Sequence, residues 1–545
     1  MATKVLGNTQ GLKPSQVKAL SRLYTRRYPA EGGYTTEQAR ELAALSRSIG
    51  RQIGLMLDRQ GRVSLVIVGD TGSIYIPELP RARTGAGRLR GLRLLHTHLT
   101  DSLLSQEDLM DMLFLRLDDV GVLTVDQHGG PASFQHAHLL PGGTQPYMVH
   151  DPQGWDRVIT DFTAQAQALE EELSRITADA RETGSESGRA VLVSVSPDPR
   201  SVQESSLAEL AELADTAGLT VAGTMVQRVR QLNYKFILGK GKLAELEVLA
   251  LTANAGVILF DGELSPAQLH NLADITERKV IDRTQLILDI FAQRASTRAG
   301  KLQVELAQLQ YTQPRLTGKN RAMDRLAGGI GGRGPGETKL ETDRRKVRER
   351  IARIKQDLKA LRTQRGFTRG RRAKARVPVA SLVGYTNAGK STLLNTLTNA
   401  DVLAEDKLFA TLDTTTRRLR FPQERELIVT DTVGFIRSLP KELKEAFRAT
   451  LEELEAADLL LHVADAGHPE LEMQLRAVEE ILDELELQDI PRLLVLNKWE
   501  TLDDETRLAL AALYPAAIRV SARTRLGLDD LTAEIIRRID WERML

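Results

Sequence analysis

Eight consecutive residues, Gly384-Tyr385-Thr386-Asn387-Ala388-Gly389-Lys390-Ser391, carry the clearest chemistry in this chain. Glycines at its first and sixth places let the backbone curl until successive N–H groups face one anion. Lys390 then offers a point charge to the β- and γ-phosphates of a nucleotide, and the Ser391 hydroxyl offers Mg²⁺ a hard oxygen. Asp431-Thr432-Val433-Gly434 adds a carboxylate able to hold Mg²⁺ through water and, at Gly434, an N–H that can face the γ-phosphate. Between these lies Phe409-Ala410-Thr411-Leu412-Asp413, which opens a threonine-rich stretch. One hydroxyl there would complete the metal shell, and four threonines compete for the place.

The base is read further on. In Asn497-Lys498-Trp499-Glu500 a carboxylate stands two residues beyond a lysine, and Ser521-Ala522-Arg523 follows. Such a carboxylate accepts both N1–H and N2–H₂ of guanine, donors that adenine lacks, so the site discriminates strongly between the two. The chemistry expected is Mg²⁺-dependent hydrolysis of GTP, with GDP as product.

Each of these segments needs a strand end beneath it. Residues 379–384 (VASLVG), 426–430 (ELIVT) and 492–496 (RLLVL) are apolar runs of buried-strand type, and 518–520 lead into Ser521. A helical segment begins at Thr392. Strand, loop and helix in that order are the context a phosphate-binding loop requires.

The rest of the chain is read around this domain. At 545 residues it is too long for one core. The fold class expected is multidomain α/β: a C-terminal P-loop GTPase domain at 377–545, a helical hairpin with basic linker at 284–376, a small α/β domain at 188–283, and an extra N-terminal α+β region at 1–187. In 188–283, apolar strands (AVLVSVS, LTVAGTM, AGVILFD, KVID) alternate with helical stretches at 207–217 and 266–276, the signature of a parallel sheet. In the N-terminal region, 62–69 and 91–96 read as strands. Residues 151–187 read mostly as a helix with Ile159, Phe162, Ala166 and Leu169 on one face, ending in a Gly/Ser linker.

In the hairpin, Leu302, Leu306 and Leu309 face Val347, Ile351, Ile354, Leu358 and Leu361, which repeat at heptad spacing. The connection at 328–336 (GGIGGRGPG) has six glycines in nine residues and is expected to be mobile unless docked. Residues 301–376 hold 22 Lys and Arg against 7 Asp and Glu, a net of +15 inside a chain whose formal net charge is +1. A basic block in an otherwise acidic protein points to a polyanionic partner for that block.

These motifs closely resemble the HflX family of GTPases. The resemblance extends upstream to Gly239-Lys240-Gly241-Lys242 and to 260–268 (FDGELSPAQ), 280–283 (VIDR), 289–294 (DIFAQR), 301–311 (KLQVELAQLQY) and 334–345 (GPGETKLETDRR), and covers about 191–541. It implies a protein that docks on the large ribosomal subunit and its rRNA, splits stalled or idle ribosomes, and hydrolyses GTP faster when bound there; a cytoplasmic, monomeric protein is expected. The glycine-rich connection would reach toward the peptidyl-transferase centre. Carried over by position, Ser391 and Thr411 become the Mg²⁺ ligands, and Lys390, Thr411 and Gly434 act on the transferring phosphate. Gly384 to Ser391, Phe409 to Asp413, Asp431 to Gly434, Asn497 to Glu500 and Ser521 to Arg523 become nucleotide contacts. Two residues depart from the family pattern: Glu500 stands where an aspartate is usual, and Thr414 where a proline is. Phe435 occupies a place where many regulatory GTPases carry a water-orienting glutamine, which an apolar ring cannot replace. Slow intrinsic turnover, helped by the ribosome, is the expectation.

The first 150 residues lie outside that resemblance and hold six of the nine histidines. His96-Thr97-His98 at a strand end would set both imidazoles on one face, and Ser105 and Asp108 follow on a helix. The pattern resembles the zinc site of JAMM-type metallohydrolases, with one residue missing between His98 and Ser105 and Glu78 the only plausible upstream acid. A metal-free histidine pair is expected there, with zinc on His96, His98 and Asp108 the alternative. The chain has no cysteine, which excludes disulfides, thiolate metal sites and a cysteine nucleophile. No run approaches the ~18 apolar residues of a membrane span, so no membrane partner is expected.

Overall fold

The first sheet is built largely from apolar runs, and its central strands are buried on both faces. Its strands are β1 (Leu6–Gly7), β2 (Ile53–Asp58), β3 (Val63–Val68), β4 (Leu92–His98), β5 (Asp119–Val125), β6 (Pro131–Leu139), β7 (Tyr147–Val149) and β8 (Gln153–Gly154). They lie in the order β1-β3-β2-β4-β5-β6-β7, with β8 on β6. Because successive side chains point to opposite faces, Leu55 and Leu57 enter a core with Leu20, Leu42, Phe134 and Phe162. Met56 turns the other way, to Leu94, Leu109, Met112 and Val120. The helix Thr36–Ile49 covers the first face. It starts at a capping box between Thr35 and Gln38 and stops at Gly50, whose φ of 63° closes the last turn.

The computed structural model describes the chain except residues 1–4, 78, 80–88, 141–146, 182–187, 233, 235–236, 277, 317–338, 375–376, 399–408, 410–414, 421–425, 433, 438–443, 445–453, 540 and 542–545, and except the side chains of 176–181, 240, 274–275, 339–341, 362–374 and 415. Residues 1–211 and 218–281 form one compact unit, and 212–217 with 282–545 form another.

Within the first unit a second sheet, β9 (Arg189–Ser196), β10 (Thr220–Arg228), β11 (Val257–Phe260) and β12 (Lys279–Asp282), runs in the order β10-β9-β11-β12. The pairs β10–β9 and β11–β9 are parallel. Val191, Val193, Ile258 and Phe260 share one core with Leu109 and Met112 beneath the first sheet.

In the second unit the helices Arg283–Arg294, Arg298–Thr312 and Lys339–Lys374 precede the third sheet. The last two pair as the heptad pattern predicts: Leu306 and Ile354 are buried, and Arg350 grips Glu305 with two hydrogen bonds of 2.6 and 2.7 Å. The sheet holds β13 (Val379–Val383), β14 (Thr415–Arg420), β15 (Glu426–Asp431), β16 (Leu459–Asp465), β17 (Arg492–Asn497) and β18 (Ile518–Arg519), ordered β14-β15-β13-β16-β17-β18. Only the β14–β15 pairing is antiparallel among those recorded. The chain winds outward from β13 to both sides, so the crevice at its C-terminal end is the topological switch point where such sheets bind ligands.

The α/β class expected from the sequence is the one observed. Three local expectations need correction. The helix expected over 151–187 runs only from Phe162 to Arg181. Ile159 lies before it and is 85% exposed, and the buried face is Phe162, Ala166, Leu169 and Leu173. The helix expected from Leu207 starts at Arg200. The basic stretch read as a linker from Arg365 continues the Lys339–Lys374 helix instead, since its Arg and Lys residues are good helix formers and only two glycines interrupt them. The glycine-rich connection 328–336 lies outside the described residues. Among those described, no helix is long and apolar enough to cross a membrane.

Candidate nucleotide site

The phosphate loop leaves β13 and enters the helix Lys390–Leu397. Close packing explains both glycines. A Cβ on Gly384 would stand 2.1 Å from the Val463 carbonyl oxygen, and one on Gly389 (φ 86°) would stand 2.3 Å from Asn497 Nδ2. Lys390 is buried at the centre of the loop, where its ammonium donates to the carbonyls of Gly384 (3.0 Å) and Tyr385 (2.8 Å). Burial pulls its pKa down to about 8, against the opposing pull of Asp431. The Ser391 hydroxyl donates to Asp431 Oδ2 at 2.7 Å, joining the loop to the end of β15.

Gly434 and Phe435 lie against the loop. A Cβ on Gly434 would come within 3.1 Å of Lys390 Nζ. Phe435 N–H donates to the Gly384 carbonyl (3.1 Å) and Thr386 N–H to the Phe435 carbonyl (2.8 Å). The Phe435 ring is buried, which suits an apolar side chain and removes it from any role with water. Thr432 Oγ1 donates to the Leu382 carbonyl at 2.6 Å. Ala388 is buried and Asn387 exposed at a φ of 61°. Phe409, also at positive φ (54°), packs edge-on against Phe291 of the helix Arg283–Arg294, ring centroids 4.6 Å apart. Ala410, Thr411, Leu412, Asp413 and Val433 lie outside the described residues.

On the other side of the loop, Asn497 acts as a bracket. Its Nδ2 donates to the Ala388 carbonyl (2.9 Å) and its Oδ1 accepts from Ala522 N–H (3.0 Å). Lys498 adopts the left-handed conformation (φ 60°, ψ 30°) and its ammonium pairs with Asp465 Oδ2 at 2.8 Å. Trp499 is buried and holds the β18 end through its N–H to the Val520 carbonyl (3.1 Å). Glu500 Oε2 is buried with no hydrogen-bond partner among the described residues. Ser521 is buried and its hydroxyl accepts from Thr524 N–H (2.9 Å), whereas Arg523 is exposed. Sequence reasoning missed Asp465. Its signal is the run 459–465 (LLLHVAD), an apolar strand ending in an acid just before the Asn497 strand.

The histidine cluster of the first unit also comes together: His96, His98 and Asp108 can each present one ligand atom within 4.8 Å of the others. Glu78 lies outside the described residues.

A phosphate loop at the switch point of a mostly parallel sheet, backed by the Asn497-to-Glu500 and Ser521 segments, defines a P-loop GTPase. Three family models match in succession: "GTP-binding GTPase N-terminal" over 204–292, "GTP-binding GTPase Middle Region" over 294–372 and "50S ribosome-binding GTPase" over 379–498. GTPase HflX of Caldanaerobacter subterraneus subsp. tengcongensis is 48% identical over 355 residues, covering 64% of this chain and 80% of that protein. GTPase HflX of Escherichia coli K12 is 46% identical over 338 residues, covering 62% and 79%. A solved GTP-binding protein from Sulfolobus solfataricus in complex with GDP aligns at 24% identity and a TM-score of 0.36, over 64% of this chain and 98% of that one. The chain belongs to the HflX family of GTPases. It binds and hydrolyses GTP.

The Asn497 bracket yields a prediction. Asn497→Ala leaves the Ala388 carbonyl and the Ala522 N–H without partners, each at a cost of ~1–3 kcal/mol. Labelled-GDP titration should show affinity falling by about 10-fold or more, and an unchanged value would mean that the bracket does not shape the site.

Proposed function

We propose that this chain is a cytoplasmic, ribosome-associated GTPase that docks on the large subunit and splits stalled or idle ribosomes. The observation that carries the reading is the pairing of an HflX-type GTPase domain with a hairpin of strong positive charge, +15 over 301–376. The match of 379–498 to a family described as ribosome-binding supports it. The domain division at 187/188, 283/284 and 376/377 belongs to the same proposal, with the hairpin as the rRNA-facing part and the protein acting as a monomer.

At the nucleotide site, the loop N–H groups of Gly384 to Ser391 cradle the phosphates at the helix start, and Lys390 Nζ exchanges its carbonyl partners for the β- and γ-phosphate oxygens. The donor set fits Mg²⁺: a hydroxyl and a carboxylate, both hard oxygens, meet at 2.7 Å where the loop joins β15. Ser391 and Thr411 would hold the ion directly and Asp431 through water. Bound there, Mg²⁺ supplies charge neutralisation across the β- and γ-phosphates. Gly434 N–H faces the γ-phosphate. Asn497 holds the loop to the Ser521-to-Arg523 segment, and Glu500 takes guanine N1–H and N2–H₂ on the carboxylate whose Oε2 has no partner among the described residues. By the resemblance, the remaining residues from Phe409 to Asp413 and from Asp431 to Gly434 supply further nucleotide contacts. With Phe435 buried, the chain has no water-orienting side chain at that place, which suits turnover that rises on the ribosome.

Co-sedimentation with ribosomes and a non-hydrolysable GTP analogue tests the reading. Basic side chains that displace counterions from rRNA make binding fall steeply with salt, by roughly 10³-fold or more between 50 and 200 mM if six or more phosphates are met. Replacing 328–336 by a short serine linker should leave GDP affinity intact and reduce both splitting and ribosome-stimulated hydrolysis. Salt-insensitive docking together with normal splitting by that variant would remove the hairpin from the mechanism.

A further inference from the structure

We infer that His96, His98 and Asp108 form a binding site for one divalent transition-metal ion of the zinc class, a site outside the GTPase domain and independent of its nucleotide. Three observations carry this. The first is convergence. His96 and His98, two apart on β4, point to one face of the strand, while Thr97 points to the other and bonds Ser46 Oγ at 2.8 Å. Their Nε2 atoms stand 3.1 Å apart. Asp108, in the first turn of the helix Gln106–Phe114, brings Oδ1 to 3.3 Å from His96 Nε2 and Oδ2 to 3.7 Å from His98 Nε2.

The second observation is size. Zinc bound by nitrogen and oxygen at 2.0–2.1 Å in a tetrahedron requires ligand atoms about 3.3–3.4 Å apart along each edge. The His96–His98 and His96–Asp108 Oδ1 separations, 3.1 and 3.3 Å, lie close to that value, and one ligand atom from each of the three residues lies within 4.8 Å of the others, so side-chain adjustment closes the shell around an ion. Three protein donors leave the fourth position to a solvent molecule.

The third is that two of the donors are held from behind. His98 Nδ1 lies 2.8 Å from the Ser102 carbonyl oxygen, a partner that can only accept. The proton therefore sits on Nδ1, and the Nε2 lone pair faces inward, as in a metal-bound imidazole. Asp108 Oδ2 accepts from Ser105 N–H and from Ser105 Oγ, both at 2.7 Å, within the capping box that starts the helix. Both imidazoles are buried. Imidazole nitrogen with one carboxylate is a donor set suited to zinc, cobalt or nickel and not to the all-oxygen shells of magnesium or calcium. An ion here ties the end of β4 to the start of the Gln106–Phe114 helix, whose Leu109 and Met112 lie in the core that also holds Val191, Val193, Ile258 and Phe260.

The test uses the full chain, stripped with a chelator and titrated with Zn²⁺ and, separately, with Co²⁺. One equivalent should bind, Co²⁺ should show the visible absorption of a four-coordinate site, and Zn²⁺ should raise the thermal midpoint. Asp108→Asn keeps the helix cap, since an amide oxygen can still accept from Ser105 N–H, yet should weaken binding by at least about 100-fold. His98→Gln should do the same. His138 lies in a separate group, its Nδ1 3.1 Å from His150 Nε2, with His150 stacked on His136, and His138→Ala should leave metal binding unchanged. No binding by the stripped chain overturns the proposal, as does equal affinity in Asp108→Asn and the parent with both melting alike without metal, or loss of binding in His138→Ala.

Discussion

Lys390→Ala should lower GTP turnover by at least about 10²–10³-fold and weaken GTP binding, measured as phosphate release with and without ribosomes. The magnitude follows from removing a fixed charge aimed at the place where negative charge is redistributed in the transition state, in a site screened from water. Backbone N–H groups remain in the variant, but they carry only partial charge. The same substitution should not unfold the domain. Lys390 is buried, and its ammonium is held by two carbonyls and a nearby carboxylate. Such a group carries a desolvation cost that alanine does not. A thermal midpoint at or above that of the parent, together with lost turnover, is therefore the expected pair of results. Normal turnover in a folded variant would sink the assignment of Gly384 to Ser391 as the phosphate loop.

Glu500→Ala should remove most of the preference for GTP over ATP, by roughly 100-fold or more in competition against labelled GDP. A site whose acceptors are matched to particular donors rejects a base lacking them because its own buried groups would go unpaired. Glu500 Oε2 is such a group, buried and without a hydrogen-bond partner among the described residues. Its position is set by backbone: Lys498 in the left-handed conformation starts the short turn Trp499–Thr501, and Trp499 N–H fixes that turn to Val520. Glu500→Asp shortens the reach by one methylene and keeps the carboxylate, so GTP binding should be retained or tightened. Equal affinity for GTP and ATP in the parent protein would show instead that this carboxylate does not read the base.

The chemistry of the nucleotide site could be read from the linear sequence because it depends on local order. A phosphate loop is one continuous strand, turn and helix, and its glycines, lysine and serine act at fixed offsets along the backbone. The apolar runs that end at Asp431 and Asn497 are likewise local, and β15 and β17 appear where those runs predict them. Heptad spacing in the hairpin is another local periodicity, and it correctly brought Leu306 and Ile354 inward. Local rules failed where composition was ambiguous. Ile159 fits a helical face by spacing, but the helix begins three residues later, and the Arg365 stretch has linker-like glycines inside a helix-forming run.

Only the tertiary structure could decide contacts between segments distant in sequence. Asn497 bridges Ala388 and Ala522, 109 and 25 residues away, and Asp465 reaches Lys498 across adjacent strands. No periodicity encodes such pairings, because they arise from strand order, and strand order is set by how the sheet winds around β13. Phe409 against Phe291 is a contact of the same kind. The histidine cluster shows the difference most plainly. From spacing alone, one residue is missing between His98 and Ser105, which argued for a metal-free pair. In the fold, the turn through Ser102 and the capping box at Ser105 swing Asp108 back to within 3.3 Å of His96. Residue type and order named the groups that could do chemistry, and the packing of a strand end against a helix start set the distance between them.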